Sequence, residues 1–350
     1  MGRCDESGVF RHHEKRRVEA LDAVRACTPN PIGNKFSCPS VLSALLFVAW
    51  LTLSACSSAV TPATSTVASE VEAVSLAAGS DGSLLWAERE TGRTWRIDDS
   101  DLTTGDGGAT SELVATVEVA SDGQRGLLGI AEIDNRVYAA WTRPDLRLVV
   151  AEVAPEFRLV WEGPESRDGA NGGRLLPTTD SQLLIGIGTL QRSSLSSDPD
   201  APNGKVLSLN PLGPSDQDPT VVSGEWNNPF ALTSSSAHGL WVADNHPGDG
   251  DERLMPGDNP LGSNELVPVT VLPTDSAPVG LASIDDRLFV CAWNTGAIYR
   301  YELRTDETGA RSGAERAGTV ATDCKRDVLA IDGRLFYAGA DAIHVIDNVG

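Results

Sequence analysis

The sequence predicts an all-β chain, a six-bladed β-propeller standing behind an export signal, and three observations carry that prediction. From about residue 74 onward, short runs of Val, Ile and Leu alternate with Asp/Gly and Asp/Asn pairs, the punctuation of strands and tight hairpins. No long stretch repeats its apolar residues at helical spacing. A strand, turn, strand unit returns six times at roughly 50 residues, a spacing at which four-stranded sheets repeat around an axis. Two β-sandwiches could use the same strands, but a sandwich gives no reason for one motif to return six times.

The first element is the uncharged run from Val41 to Thr52, preceded by Lys15, Arg16, Arg17, Arg25 and Lys35. A basic segment followed by a short apolar one is the layout of a signal peptide. The run is shorter than the roughly 20 apolar residues a spanning helix needs. It ends in Leu53-Ser54-Ala55-Cys56, which resembles a bacterial lipobox: an apolar residue, two small ones, and the cysteine that is diacylated and becomes residue one. Residues 1–55 are therefore expected to be removed, and the long polar stretch before the apolar run suggests a start codon downstream of Met1. Cys56 is expected to anchor an extracytoplasmic domain to the bacterial membrane, since two acyl chains suffice for stable attachment. Residues 56–70, rich in Ser, Thr and Ala, read as a flexible tether. Residues 71–350 are the propeller.

Removing residues 1–55 leaves 21 basic against 44 acidic residues, a net charge of −23. A nucleic-acid partner is excluded on that balance, and adhesion of the domain itself to anionic lipid is disfavoured. Cys4, Cys27 and Cys38 go with the signal and Cys56 with the lipid, so Cys291 and Cys324 remain. Outside the cytoplasm two thiols suggest one disulfide, although spacing alone leaves two unpaired buried cysteines open.

The six copies follow in order. Val74-Ser75-Leu76 leads through Asp81-Gly82 to Leu84-Leu85-Trp86-Ala87. Leu127-Leu128-Gly129-Ile130 leads through Asp134-Asn135 to Val137-Tyr138-Ala139. Arg174-Leu175-Leu176 leads to Leu183-Leu184-Ile185, and Phe230-Ala231-Leu232 to Leu240-Trp241-Val242. Val279-Gly280-Leu281 leads through Asp285-Asp286 to Leu288-Phe289-Val290, and Val328-Leu329-Ala330 through Asp332-Gly333 to Leu335-Phe336-Tyr337. Cys291 and Cys324 fall in or near the last two copies, where a bridge would link neighbours.

Four segments carry a resemblance to a known family. They are Asp122-Gly123-Gln124-Arg125-Gly126-Leu127-Leu128-Gly129, then Asn171-Gly172-Gly173-Arg174-Leu175 with Leu184 to Gly188, then Asn203-Gly204-Lys205-Val206-Leu207. The fourth runs from Asn228-Pro229-Phe230 through Leu240 to Asn245, with Gly250-Asp251-Glu252. In this order the chain resembles the soluble quinoprotein glucose/sorbosone dehydrogenases from about Val74 to the C-terminus. The resemblance implies a propeller that oxidises a sugar or alcohol with pyrroloquinoline quinone (PQQ) and calcium, using a histidine base. It places Gln124 and Asn228 against the cofactor.

Set against that family the chain has gaps. The base position is Ala170, which has no proton-accepting side chain, and a general base must be present before its pKa matters. Of His238, His246 and His344, His246 is the one candidate replacement, because its loop neighbours the predicted axial mouth, the alternative being a solvated loop histidine. Cations expected to hold the quinone's carboxylates are replaced by Asn227, Asn294 and Thr295, so PQQ binding of the ordinary kind is not expected. Asp244, Asp249, Asp251 and Glu252 offer hard oxygen donors on a Gly-rich loop and form a candidate Ca²⁺ site, the alternative being a solvated acidic turn. No G-x-S-x-G elbow, Walker loop or H-E-x-x-H motif occurs in a suitable context; a calcium-dependent lactonase-type propeller is not excluded by spacing. Trp86, Trp95, Trp141, Trp161, Trp226, Trp241 and Trp293 could stack a sugar, although blade packing accounts for most. The expected function is a lipid-anchored propeller that binds a sugar or other small molecule and has lost the family's base; the alternative is an active PQQ- and calcium-dependent dehydrogenase.

Overall fold

Every described blade is built from strands whose side chains alternate between two neighbouring blades. This computed structural model describes residues 63–103, 106–235, 237–246, 252–258, 270–305, 307 and 311–349. The apolar run, Cys56, Asp249 and Asp251 lie outside them.

The chain opens with β1 (Thr64–Ser69). Blade 1 holds β2 (Ala73–Ala78), β3 (Leu84–Glu88), β4 (Arg93–Ile97) and β5 (Glu112–Thr116); blade 2 holds β6 (Leu127–Ile133), β7 (Arg136–Thr142), β8 (Arg147–Ala154) and β9 (Arg158–Glu165). Blade 3 is β10 (Gly172–Pro177), β11 (Leu183–Ile187), β12 (Lys205–Leu209) and β13 (Thr220–Ser223), and blade 4 is β14 (Ala231–Ser235), β15 (Gly239–Asp244), β16 (Arg253–Pro256) and β17 (Thr270–Val271). Blade 5 is β18 (Pro278–Ile284), β19 (Arg287–Ala292), β20 (Ile298–Thr305) and β21 (Arg311–Ala321). Blade 6 takes β22 (Asp327–Ile331), β23 (Arg334–Ala338) and β24 (Ala342–Ile346), and its outer strand is β1. Each blade is an antiparallel sheet in sequence order, and the first strands of successive blades touch all the way round, β22 meeting β2. The predicted six-bladed propeller is the observed fold.

Part of the segment expected as a tether, Thr64–Ser69, is instead a strand of the ring. Thr64–Ser69 pairs antiparallel with β24, Thr64 opposite Ile346 and Ser69 opposite Ala342, and buries Val67 completely. Its Ser/Thr/Ala composition reads as linker because an outer strand needs few apolar residues; here Val67 and Ala68 supply the burial. The two ends of the domain are thereby hydrogen-bonded into one sheet.

Alternation explains the core. Trp241 packs between blades 4 and 5 while the next residue, Val242, packs between blades 3 and 4, as the two-residue period of a strand requires. Six hydrophobic clusters result, one at each blade interface. Two of the predicted turns show why Asp, Asn and Gly were their signature. Asp134 and Asn135 (φ 51° and 60°) join β6 to β7, and Asp332 and Gly333 (φ 49° and 75°) join β22 to β23. Two successive positive φ angles match the twist of a hairpin, and these residue types tolerate them best.

The predicted disulfide is present: Cys291 on β19 is bonded to Cys324 ahead of β22, with a Cα–Cα distance of 5.8 Å. It joins blades 5 and 6. No helix of the described residues is long and apolar enough to cross a membrane.

Candidate functional site

First strands all start at one end of the ring, so their opening residues and the turns after the second strands converge there. Between them lies a cavity of about 440 Å³. Val74, Leu128, Gly172, Phe230 and Val279 form its inner wall, and Arg89, Gln124, Trp293, Lys325 and Arg326 stand around it.

Its floor is tied by one side chain. Arg174, from β10, is buried, and its guanidinium reaches four other blades. It donates to Asp327 Oδ2 at 2.7 Å, Val279 O at 2.7 Å, Phe230 O at 3.2 Å and Val74 O at 3.4 Å. Three of those acceptors belong to cavity-lining residues. Asp327 also accepts the N–H groups of Leu76 (2.8 Å) and Val328 (2.9 Å). Burial pushes the Asp327 carboxyl up to about 6, against the opposing pull of Arg174 and the two N–H donors. An acid whose folded pKa is raised binds more protons folded than unfolded, so its contribution to stability is full below the unfolded value and is lost as pH rises through the folded one. The stability of the wild type relative to Asp327→Asn is expected to fall by about 1 to 3 kcal/mol between pH 4 and pH 7. Urea unfolding of both proteins across that range checks it, and a flat difference would contradict it.

The loops above the floor are held by amides and carboxylates. Gln124 Oε1 accepts the N–H of Ala170 at 2.8 Å, and Asn171 Nδ2 donates to Gln124 O at 3.2 Å. Asn228 Oδ1 accepts the N–H of Gly172 at 3.0 Å. Gly172 sits at φ 70°, where a Cβ would lie 2.2 Å from Gly186 O, so glycine alone fits there. Gln124 and Asn228, singled out from the resemblance, do line the cavity.

The other expected residues are placed differently. Asp244 is fully buried, and its carboxylate accepts the N–H groups of Asn227 (3.1 Å) and Asn228 (2.7 Å) and pairs with Arg253. It therefore orients Asn228, a role its acidic loop does not advertise. Glu252 accepts the N–H of Ala277 at 2.7 Å, and burial raises its pKa. With Asp249 and Asp251 outside the described residues, no group of three or more His, Cys, Asp and Glu able to hold a metal occurs among those described. His246 does not line the cavity. His238 pairs with Asp286 at 2.6 Å at the far end of the ring, and His344 lies on β24 against Thr66. Of the tryptophans, Trp226 and Trp241 are fully buried, whereas Trp293 stands 48% exposed at the cavity.

Asn227, Asn294 and Thr295 make local contacts, and the cations at the cavity come from other segments. Asn294 caps a turn through Asp275 O, and Thr295 accepts the N–H of Ala297. Arg89 reaches the mouth from the turn after β3, its guanidinium donating to the carbonyls of Ser121, Gly123 and Arg125 at 2.8 to 3.1 Å. Lys325 and Arg326 arrive from the segment before β22, Lys325 donating to Trp293 O at 2.9 Å. Among the described residues lining the cavity there are three cations and no carboxylate or histidine. Glu70, Glu72, Glu88 and Glu90 stand in a neighbouring cavity that shares Arg89 and Arg326 with the first.

Solved structures of similar shape share this architecture. An oxidoreductase described as a glucose dehydrogenase from Thermus thermophilus superposes with a TM-score of 0.66 at 23% identity, covering 81% of this chain and 99% of that one. The PQQ-bound aldose sugar dehydrogenase of Streptomyces coelicolor gives 0.67 at 22%, covering 81% and 98%. The fold is that of the soluble sugar dehydrogenases. The apo form of the soluble aldose sugar dehydrogenase of Escherichia coli gives 0.64 at 17%, covering 81% and 99%. No protein-family model matches the chain, and no curated protein matches it in sequence. In this chain Ala170 lies beside the cavity, and Arg89, Lys325 and Arg326 are among its lining residues.

Proposed function

We propose that this is an extracytoplasmic propeller, lipid-anchored through Cys56, whose axial cavity binds a small polycarboxylate without oxidising a sugar by the chemistry of the neighbouring fold. The observation that carries the reading is the donor set: three cations, four amides and no carboxylate among the described lining residues. Charge-assisted hydrogen bonds from Arg are the strong ones and suit planar carboxylates. The apolar inner wall of Val74, Leu128, Phe230 and Val279 would cover the ligand's body.

PQQ, present in the Streptomyces structure, is one such polycarboxylate. The residues here suit its carboxylates: Arg326 and Lys325 would hold two, and Arg89, itself paired with Glu90 and three backbone carbonyls, would stand beside a third. Bound, the quinone would supply a two-electron acceptor. Among the described residues there is no base to serve it: Ala170 cannot take a hydroxyl proton, and no histidine or carboxylate lines the cavity. The active-dehydrogenase reading is favoured by the cations alone.

The test loads the full protein in detergent with PQQ, and separately with benzene-1,3,5-tricarboxylate, and measures binding by calorimetry. Dye reduction is then followed with a panel of aldoses and Ca²⁺. Binding without turnover is the expected result; sustained aldose-dependent reduction would overturn the non-catalytic reading, and failure of both anions to bind would overturn the polycarboxylate one. Arg326→Gln is expected to weaken either anion by about tenfold to a hundredfold, as loss of one hydrogen bond to a charged group costs roughly 1.5 to 3 kcal/mol. Metabolic labelling with palmitate should mark the wild type and leave Cys56→Ser unlabelled.

A further inference from the structure

The cationic rim is assembled in two halves, and they are held by different means. Arg89 is fixed by three backbone carbonyls of the loop around Gly123, which accept from its guanidinium. Gly126 lets that loop approach, since a Cβ there would lie 2.3 Å from Arg89 O. The other half consists of Trp293, Lys325 and Arg326, which come from two segments on different blades. Trp293 follows Cys291 by two residues, and Lys325 and Arg326 directly follow Cys324. The two cysteines are bonded to each other and fully buried.

Around the bridge the contacts run toward the cavity. The Cys324 N–H donates to Gly296 O at 2.8 Å, and the Lys325 and Arg326 N–H groups donate to Ala338 O at 2.9 and 3.1 Å. Trp293 N–H donates to Ala277 O at 3.0 Å, and Ala277 also lines the cavity. Trp293 O in turn accepts from Lys325 Nζ. The covalent link therefore sits directly behind the aromatic and cationic groups, at the place where blade 5 ends and blade 6 begins.

We propose that the Cys291–Cys324 disulfide is a positioning element of the anion site, setting the spacing between Trp293 and the Lys325–Arg326 pair. The inference rests on the polycarboxylate reading above. A flexible blade junction would let the two segments drift, and a ligand would then have to order them on binding, which lowers affinity without removing any contact. Because the disulfide acts on the half of the rim that holds Arg326 and not on the half that holds Arg89, its removal should be coupled to the first cation and independent of the second.

The experiment measures the dissociation constant for benzene-1,3,5-tricarboxylate by calorimetry on the full protein in detergent. The variants are Cys291→Ala with Cys324→Ala, Arg326→Gln, Arg89→Gln and their combinations. Val160→Ala, a buried residue of blade 2 remote from the cavity, controls for general destabilisation. The cysteine pair is expected to weaken binding about fivefold to tenfold while Val160→Ala leaves it unchanged. Added to Arg326→Gln, the cysteine pair should cost less than twofold more, whereas added to Arg89→Gln it should cost its full factor, since only coupled residues depart from additivity. Wild-type affinity in the cysteine variant, or a loss that adds fully to Arg326→Gln, would overturn the proposal. If neither arginine variant alters binding, it is the polycarboxylate reading that fails. Should the alanine pair not fold, the wild type reduced in place by a phosphine, with its thiols counted by alkylation, carries the same comparison.

Discussion

Arg174→Met is expected to lower the free energy of unfolding by about 3 to 5 kcal/mol, the usual cost of leaving one partner of a buried ion pair alone. Methionine replaces the aliphatic stem of the side chain but supplies none of its four hydrogen bonds to Asp327, Val279, Phe230 and Val74. Three carbonyls would lose a donor and Asp327 its counter-ion, in a place where burial already disfavours the carboxylate. In a domain of this size the melting temperature should fall on the order of 10 °C. Calorimetric scanning decides it: a shift of a degree or two would show that the axial pair is dispensable. The double variant Arg174→Met with Asp327→Leu should recover part of the loss, because replacing both members of a buried pair costs less than orphaning one. Since Val74, Phe230 and Val279 line the cavity, the single variant is also expected to bind the tricarboxylate more weakly.

Deleting residues 63–69 has the second large expected effect. Without β1, blade 6 is left with three strands, β24 becomes an exposed edge, and Val67 is lost from the cluster between blades 6 and 1. Exposed edges pair with other chains. The truncated protein should therefore unfold at a lower temperature and self-associate, with light scattering rising on heating before near-ultraviolet ellipticity is lost. The point variant Val67→Asp isolates the packing part, placing an unpaired charge at a fully buried position; it should destabilise by about 3 kcal/mol or more while keeping the strand. A truncated protein that melts like the wild type and stays monomeric would show that ring closure does not depend on β1.

Much of this architecture was readable in the chain because the signals are local. A strand declares itself by period-two burial and a hairpin by Asp-Asn or Asp-Gly, so the first two strands of every blade stood out, as did the thiol pair at Cys291 and Cys324. Outer strands such as Glu112–Thr116 and Thr64–Ser69 were not legible, since few of their residues are fully buried. The site was legible only where one segment carries it: Gln124 and Asn228 sit in motifs, and both line the cavity. Arg89, Lys325 and Arg326 have no motif, and only ring closure brings residue 89 to residue 326. Arg174 stood in plain view within Asn171-Gly172-Gly173-Arg174, yet nothing local says that its partner lies at Asp327. Asp244 carries a role its Gly-rich acidic loop does not announce: burial and two backbone N–H groups make its carboxylate a brace for Asn228.

The register of β1 also fixes on which face the two ends of the ring lie. Thr64 lies opposite Ile346, the last residue of β24, and Val349 O, just beyond, accepts from Arg287 at the start of β19. Both ends of the ring thus emerge on the side away from the cavity, whose lining follows the ends of β3 and β19. A surface or carrier joined at either terminus grips the molecule by its back. Ligands would then reach the mouth from open solution, and a sensor chip or fusion partner attached there would leave the binding measurements above unobstructed.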